Sequence, residues 1–231
     1  MQSPQARSPA QTHKAVAALI ALACLVLTVA IAQHPVAHGA TAALRIASVA
    51  QQSSADELVH GAIMAILLVL AASMGYYSMQ RDITKPAVLS ACVAYGLATV
   101  MGFIAGAFDG FVLPGLLGRC PGESANCLGQ TEQLLGFASV CVQVFSRISL
   151  LLMVAATALW STELLLDPTA RLRGAVGILL VFVQIWLLSG IAYGLTPHTL
   201  LVVMVGQIIW YLLVAASLRG LANSTTKVAL A

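Results

Sequence analysis

Residues 133–160, QLLGFASVCVQVFSRISLLLMVAATALW, form a long apolar run in which Arg147 is the only charged residue. A transmembrane helix needs about 20 mostly apolar residues, and this run is longer. An arginine near the centre of such a helix costs about 2.5–3.5 kcal/mol on insertion scales, so it requires polar partners or a wet cavity. The stretch therefore predicts a membrane helix with a polar feature built around Arg147.

The rest of the chain has the same apolar character. Of its 231 residues, 60% are hydrophobic and 8% are charged, whereas soluble domains carry about 25% charged residues. Lipid offers the backbone no hydrogen bonds, so each long apolar segment is expected to be a helix. The sequence predicts an all-α integral membrane protein, a bundle of six transmembrane helices. Their approximate ranges are 15–32, 58–79, 87–108, 134–160, 174–193 and 199–217.

Lysine and arginine residues between the segments are unevenly distributed. Two of them, Arg45 and Arg119, fall on one side, and eight fall on the side of the N-terminal tail. The positive-inside rule then predicts a multi-pass protein of a bacterial-type inner (plasma) membrane with both termini cytoplasmic. Residues 1–14 are predicted to be a disordered tail and residues 218–231 a second cytoplasmic tail. The eight basic residues on the side of the N-terminal tail are Arg7, Lys14, Arg81, Lys85, Arg171, Arg173, Arg219 and Lys227.

The first apolar segment has two interpretations. Lys14, the apolar run and the small residues up to Ala32, just before Gln33, fit a cleavable signal peptide. The apolar run is longer than the usual core of a signal peptide, and this favours a retained transmembrane helix.

Several polar side chains are predicted to lie at the depth of Arg147. Gln143 is one turn away, and Gln184 and Gln207 each lie about 12 Å from the outer ends of their segments. Tyr211 follows Gln207 by four residues and shares its face. Interhelical hydrogen bonding, worth about 0.6 kcal/mol per bond, explains each glutamine taken alone. Taken together with Arg147, these residues predict an outward-facing polar cavity.

Asp109, at the outer end of the third segment, is the acidic residue best placed to neutralise Arg147. A cavity with this arginine suits a small polar or anionic ligand. No Ser–His–Asp order, phosphate-binding loop or pair of catalytic carboxylates stands out in the sequence. The principal functional prediction is a non-enzymatic binding or transport-like protein.

Four of the five histidines fall on the outer side: His34, His38, His60 and His198. Asp56, His60 and Met64 share one helical face. Such side chains bind copper, zinc or haem iron, although their spacing matches no metal-binding motif. Asp56 and Glu57 are equally explained as acidic residues at the start of a helix. A metal or haem protein is therefore an alternative, and the sequence requires no cofactor.

Small residues recur every fourth position in the third segment, at Ala94, Ala98, Gly102 and Gly106. Such a stripe lets another helix approach closely. It predicts a docking face for a second copy or a membrane-protein partner, in addition to the lipid bilayer. A structural or assembly subunit of a larger membrane complex is thus another alternative. No run of basic and aromatic residues indicates a nucleic-acid partner.

Cys120 and Cys127 lie in a predicted outer loop. Thiols outside the cytoplasm can oxidise, so this pair predicts a disulfide that closes a small ring. A metal pair has the same spacing but lacks a nearby histidine. The other three cysteines, Cys24, Cys92 and Cys141, lie within apolar segments and are predicted to be packing residues.

Overall fold

The structure, a computed structural model, describes residues 8–35, 41–117, 125–190 and 194–229. These residues form helices joined by turns, without a strand. The helices are α1 (Pro9–Ala32), α2 (Ala42–Gln80), α3 (Pro86–Ala107), a π-helical turn (Phe108–Val112), α4 (Leu113–Leu117), α5 (Ala125–Leu166), α6 (Arg171–Gly190) and α7 (Pro197–Ala229). Six helical segments in this described part are long and apolar enough to cross a membrane, which confirms the predicted all-α class and the number of spans.

The two terminal helices extend into the predicted tails. α1 begins at Pro9 because Ser8 caps it: the Ser8 hydroxyl accepts from the Gln11 N–H at 3.3 Å, and the Gln11 side chain accepts from the Ser8 N–H at 3.2 Å. This reciprocal capping box, followed by proline in the first turn, starts a helix inside a polar sequence. α7 continues to Ala229, through most of the predicted C-terminal tail, since no proline interrupts it.

α2 is also much longer than its apolar segment. It starts at Ala42 instead of near residue 58, because the Thr41 hydroxyl caps the Leu44 N–H at 3.3 Å and neither glycine nor proline follows before residue 61. At 1.5 Å per residue, the 18 residues from Ala42 to Val59 place His60 about 27 Å inside the helix. His60 is therefore an interior residue of α2, not one near its first turn.

The six long apolar helices form a ring in chain order. α1 packs on α2, α2 on α3, α3 on α5, α5 on α6, and α6 on α7, which closes the ring against α1. Large apolar side chains cover the outer surface; Leu172, Phe182 and Trp186 of α6 are exposed examples. A helix that is apolar on its outer face as well as its inner one is typical of a membrane span.

Aromatic side chains fill one half of the ring. The two hydroxyl oxygens of Tyr95 and Tyr211 lie 2.6 Å apart, and Trp160 donates its indole N–H to the Ser78 hydroxyl at 3.1 Å. Tyrosine and tryptophan carry a polar atom that needs a partner when buried, and these contacts supply it. This half has a dense core made by Tyr77, Tyr95, Trp160, Trp210 and Tyr211.

Ion pairs close the end of the ring beside this aromatic core, which we term the basic end because Arg81, Lys85, Arg171 and Arg173 lie there. Arg81 donates to Asp167 at 3.1 Å, and Lys85 pairs with Glu163. Hydrogen bonds from the side chain and backbone of Thr169 lower the pKa of Asp167, so this carboxylate stays ionised at neutral pH.

The small-residue stripe of α3 packs within the chain. The Ser149 hydroxyl of α5 donates to the Ala98 carbonyl at 2.7 Å. A Cβ atom on Gly102 would lie 3.0 Å from Leu67 Cδ1, and one on Gly106 would lie 3.3 Å from Met64 Cγ. Along Ala98, Gly102 and Gly106, the surface predicted to dock a partner therefore holds α3 against α2 and α5.

The predicted disulfide falls outside the described residues: Cys120 belongs to residues 118–124, and the Cys127 side chain is not described either. Among the described cysteines, Cys24, Cys92 and Cys141 carry no disulfide.

Candidate functional site

Four side chains meet at the end of the ring opposite the basic end. His34 follows α1, Asp56 and His60 lie on successive turns of α2, and Asp109 belongs to the π-helical turn. The Nε2 atoms of His34 and His60 lie 3.2 Å apart. Asp109 Oδ2 lies 3.2 Å from Nε2 of His60 and 3.5 Å from Nε2 of His34. We call these four residues the histidine–aspartate cluster.

The other imidazole nitrogens are held by oxygen acceptors. Nδ1 of His34 lies 2.7 Å from the Pro35 carbonyl, and Nδ1 of His60 lies 2.9 Å from the Asp56 carbonyl. A carbonyl oxygen accepts only, so the neutral ring carries its proton on Nδ1 and a lone pair on Nε2. With both rings neutral, two Nε2 lone pairs and one carboxylate oxygen of Asp109 converge in the cluster; a proton on Nε2 of His60 would instead be donated to Asp109.

The cluster is largely buried and rich in negative charge. Side-chain exposure is 5% for His60, 11% for Asp56, 15% for His34 and 28% for Asp109. Asp56 Oδ1 lies 3.1 Å from Nδ1 of His60, yet it accepts no aligned hydrogen bond from the described residues, because the Nδ1 proton points to the Asp56 carbonyl. Two carboxylates in a poorly solvated site require compensating positive charge, which either a protonated imidazole of the cluster or a bound cation supplies.

The π-helical turn brings Asp109 to the imidazoles. A Cβ atom on Gly110 would lie 2.3 Å from Cβ and 2.6 Å from Cγ of His60, distances that real side chains do not reach. Glycine thus permits the backbone after α3 to touch α2 at His60. Single π-helical turns inside α-helices occur frequently at functional sites. Here the turn places a carboxylate beside an imidazole from another helix.

Two cavities adjoin the cluster. The deep cavity, of about 120 Å³, extends between the helices as far as Leu67, Met153 and Met204. The loop cavity, of about 240 Å³, lies beside residues 195–197 at the start of α7. They share the lining residues His34, Asp109, Val142, Ser146 and Leu200, so both open onto the cluster.

The structure differs from the sequence-based interpretation at Arg147. Its side chain is exposed, and Asp109, predicted to neutralise it, lies in the histidine–aspartate cluster. Gln143, one turn away, does line the loop cavity, where it donates to the Leu195 carbonyl at 2.9 Å and accepts from the Leu195 N–H at 2.6 Å.

The remaining members of the predicted polar layer belong to a separate buried network. Gln207 of α7 donates to Thr157 of α5 at 3.2 Å, and Gln184 of α6 lies 3.5 Å from Gln207 Oε1 and 3.4 Å from the Val203 carbonyl. Tyr211 pairs with Tyr95 one turn further along α7. These contacts are interhelical hydrogen bonds. The residues predicted to form one polar layer therefore lie in three places: Gln184, Gln207 and Tyr211 in this network, Gln143 at Leu195, and Asp109 in the cluster.

The four outer histidines are likewise divided. His34 and His60 join the cluster, His198 is exposed in the first turn of α7, and His38 lies in residues 36–40, outside the described part. The metal alternative from the sequence groups His34 with His60, but it leaves out Asp109, which the sequence-based interpretation assigns to Arg147. The spacing of Asp56 and His60, four residues apart, was the available indication of their contact.

Comparison with known proteins returns no match to this chain among family models, curated protein sequences or solved structures.

Proposed function

We propose that this is a metal-binding membrane protein that holds one divalent transition-metal ion through Nε2 of His34, Nε2 of His60 and Oδ2 of Asp109. The observation that carries the proposal is the convergence of these three electron-pair donors on one point. The proposal keeps the predicted outward-facing binding cavity but centres it on the histidine–aspartate cluster instead of Arg147.

The distances suit a single ion. The three donor atoms form a triangle with edges of 3.2, 3.2 and 3.5 Å. In a tetrahedral site with bonds of about 2.0–2.1 Å, neighbouring ligand atoms lie about 3.3–3.4 Å apart. The centre of the observed triangle is about 1.9 Å from each corner, so an ion slightly out of its plane reaches all three atoms at zinc bond lengths.

The outer hydrogen bonds support the same proposal. Metal-bound histidines almost always donate their other ring N–H to a carboxylate or a carbonyl, which sets the tautomer and the ring orientation. The Pro35 carbonyl does this for His34, and the Asp56 carbonyl does it for His60. A divalent cation would also balance the charges of Asp56 and Asp109.

The donor set limits which metal fits. Two imidazoles and one carboxylate suit zinc or ferrous iron, whereas copper(I) prefers sulfur ligands. A haem held by both histidines would separate their Nε2 atoms onto opposite faces of the macrocycle, and a contact of 3.2 Å leaves no room for this. Three protein ligands leave a fourth position, which characterises sites that act on a bound molecule.

We also propose that the protein resides in a bacterial-type inner membrane with both termini in the cytoplasm. The support is the gathering of Arg81, Lys85, Arg171 and Arg173 at the basic end, which the positive-inside rule assigns to the cytoplasmic face. The histidine–aspartate cluster then lies toward the external face.

Metal analysis of the purified protein tests the principal proposal. The full chain, carrying an affinity tag without histidine, is purified in detergent after growth with zinc and iron, and its metals are quantified by mass spectrometry. We expect about one ion per chain, because folding assembles one complete ligand set. Loading with Co²⁺ is expected to give visible absorption bands of a tetrahedral site.

Single substitutions assign the ion to the cluster. His60→Ala and Asp109→Asn are each expected to remove most of the metal and the Co²⁺ bands. His198→Ala is the matched control, since this exposed histidine lies outside the cluster, and it is expected to retain the full metal content. A metal-free wild-type protein, or a His60→Ala variant that keeps its metal, would show that the cluster is a hydrogen-bonded network without an ion.

A further inference from the structure

The deep cavity runs along the helices directly from the histidine–aspartate cluster. In three segments of the chain its lining begins with a cluster residue and ends seven residues away, over the ranges 27–34, 60–67 and 102–109, and on α5 it spans 142–153. Seven residues of helix correspond to about 10 Å. The cavity is therefore a narrow channel about two helical turns deep, with the cluster at its mouth.

The walls of this channel are apolar below the mouth. Gly102, Ala105 and Gly106 have little or no side chain and leave the space open. The hydroxyl of Ser149 already donates to the Ala98 carbonyl at 2.7 Å, so it offers no donor to a ligand. A cavity of this kind is a poor site for water and a good one for hydrocarbon. The apolar wall consists mainly of Leu27, Ile63, Leu67, Leu150, Met153 and Met204.

We infer that the ligand is a single-chain amphiphile, with an oxyanion head group at the open metal position and a hydrocarbon chain in the deep cavity. The inference rests on the proposed metal site, which supplies the attraction for the head group. The loop cavity supplies a polar approach, since Ser139, Gln143 and Thr196 line it. An ion alone would need no apolar channel beneath its ligands, and a small polar anion would gain nothing from one.

Hydroxamates of different chain length test the inference on the wild-type protein. Acetohydroxamate reports on the open metal position alone, and hexanohydroxamate adds four methylenes that reach into the deep cavity. Binding to Co²⁺-loaded protein in nanodiscs is followed by the shift of the visible bands. We expect hexanohydroxamate to bind at least about tenfold more tightly, because burial of each methylene contributes up to about 0.8 kcal/mol.

Filling the cavity separates this effect from simple partitioning into lipid. Ala105→Leu places a larger side chain in the channel and is expected to abolish the advantage of hexanohydroxamate while leaving acetohydroxamate binding and metal content unchanged. Leu27→Phe on α1 is a second filling variant from a different wall. Ala155→Leu, at an exposed position of α5, is the matched control and is expected to keep the advantage.

The outcomes distinguish the two proposals. A wild-type protein without Co²⁺ bands overturns the metal site itself. Co²⁺ bands that acetohydroxamate does not shift, or equal affinities for the two hydroxamates, leave the metal site standing and overturn the amphiphile. A chain-length advantage that survives in both filling variants also overturns it, since the chain would then lie outside the deep cavity.

Discussion

The two ring nitrogens of His60 face different partners. Nδ1 faces Asp56, one turn earlier on α2, and Nε2 faces His34 and Asp109. Asp56 therefore acts through His60: its backbone carbonyl orients the ring, and its carboxylate adds negative charge 3.1 Å from Nδ1. We propose Asp56 as a positioning residue for the proposed metal site.

Asp56→Asn tests this role. Removing a partner behind a metal-bound histidine typically costs 10–100-fold in affinity. Because the carbonyl that accepts the Nδ1 proton remains, we expect about a tenfold weaker Zn²⁺ affinity, measured by competition with a fluorescent chelator, and retention of the tetrahedral Co²⁺ bands.

Glu57→Gln is the control for this substitution, since it removes an exposed charge from the next position on α2. It is expected to leave the Zn²⁺ affinity unchanged. If both variants lowered the Zn²⁺ affinity equally, general attraction between negative charge and the cation would explain the result, and Asp56 would have no positioning role.

At the scale of elements, two irregular features build the site. The early start of α2 places His60 deep in the helix, level with the end of α1 where His34 lies. The π-helical turn after α3 places Gly110 against His60 and Asp109 beside it. Neither feature changes the number of spans; the π-helical turn brings Asp109 to the imidazoles, and the early start of α2 puts Asp56 on the helical turn before His60.

Gly110→Ala tests the second feature. Its new Cβ would approach Cβ and Cγ of His60 to 2.3 and 2.6 Å, and these atoms next to the α2 backbone cannot turn away. The two helices must separate, so we expect a loss of about 1–3 kcal/mol in the free energy of unfolding and at least about tenfold weaker Zn²⁺ binding. Denaturation in mixed micelles and chelator competition measure the two quantities.

Gly115→Ala is the matched control, because a Cβ atom there meets nothing within 4 Å. It is expected to leave the metal affinity unchanged and to raise the free energy of unfolding by at most about 1 kcal/mol, because alanine favours the helix over glycine. A Gly110→Ala protein as stable and as tightly metal-binding as the wild type would mean that α2 and α3 are not held together at this point.

At the scale of the whole molecule, the ring is dense at one end and hollow at the other. Aromatic side chains and ion pairs seal the basic end, and both cavities adjoin the histidine–aspartate cluster at the opposite end. If the bundle spans a membrane as proposed, both cavities lie toward one side of it. The proposed orientation makes that side the external one.

Reporter fusions in a bacterial host check the orientation. Green fluorescent protein fused after residue 231 is expected to fluoresce, and alkaline phosphatase fused there is expected to be inactive, because the basic end faces the cytoplasm. Fusions within residues 118–124 should give the opposite pair of results. Active phosphatase at the C-terminus would reverse the orientation and place the cluster toward the cytoplasm.

The sequence predicted the fold more fully than the site. A run such as 133–160 is apolar enough that only a helix satisfies its backbone in lipid, so the number of spans follows from local composition. Helix ends were less predictable, because the caps at Ser8 and Thr41 extend α1 and α2 into polar sequence that hydropathy does not mark. The prediction of ligand binding remains a proposal for experiment.

Features that depend on neighbours along the chain can be read from the sequence: six apolar helices, their similarity to membrane spans and the asymmetric distribution of basic residues. Which polar side chains meet depends on how the helices pack. Arg147 stands out in the sequence because a charge is costly to insert in an apolar helix. His60 and Asp109 do not stand out, since they are 49 residues apart and meet only through the close approach of Gly110 to His60. Burial and approach between helices depend on packing of the whole ring, and no local pattern records them.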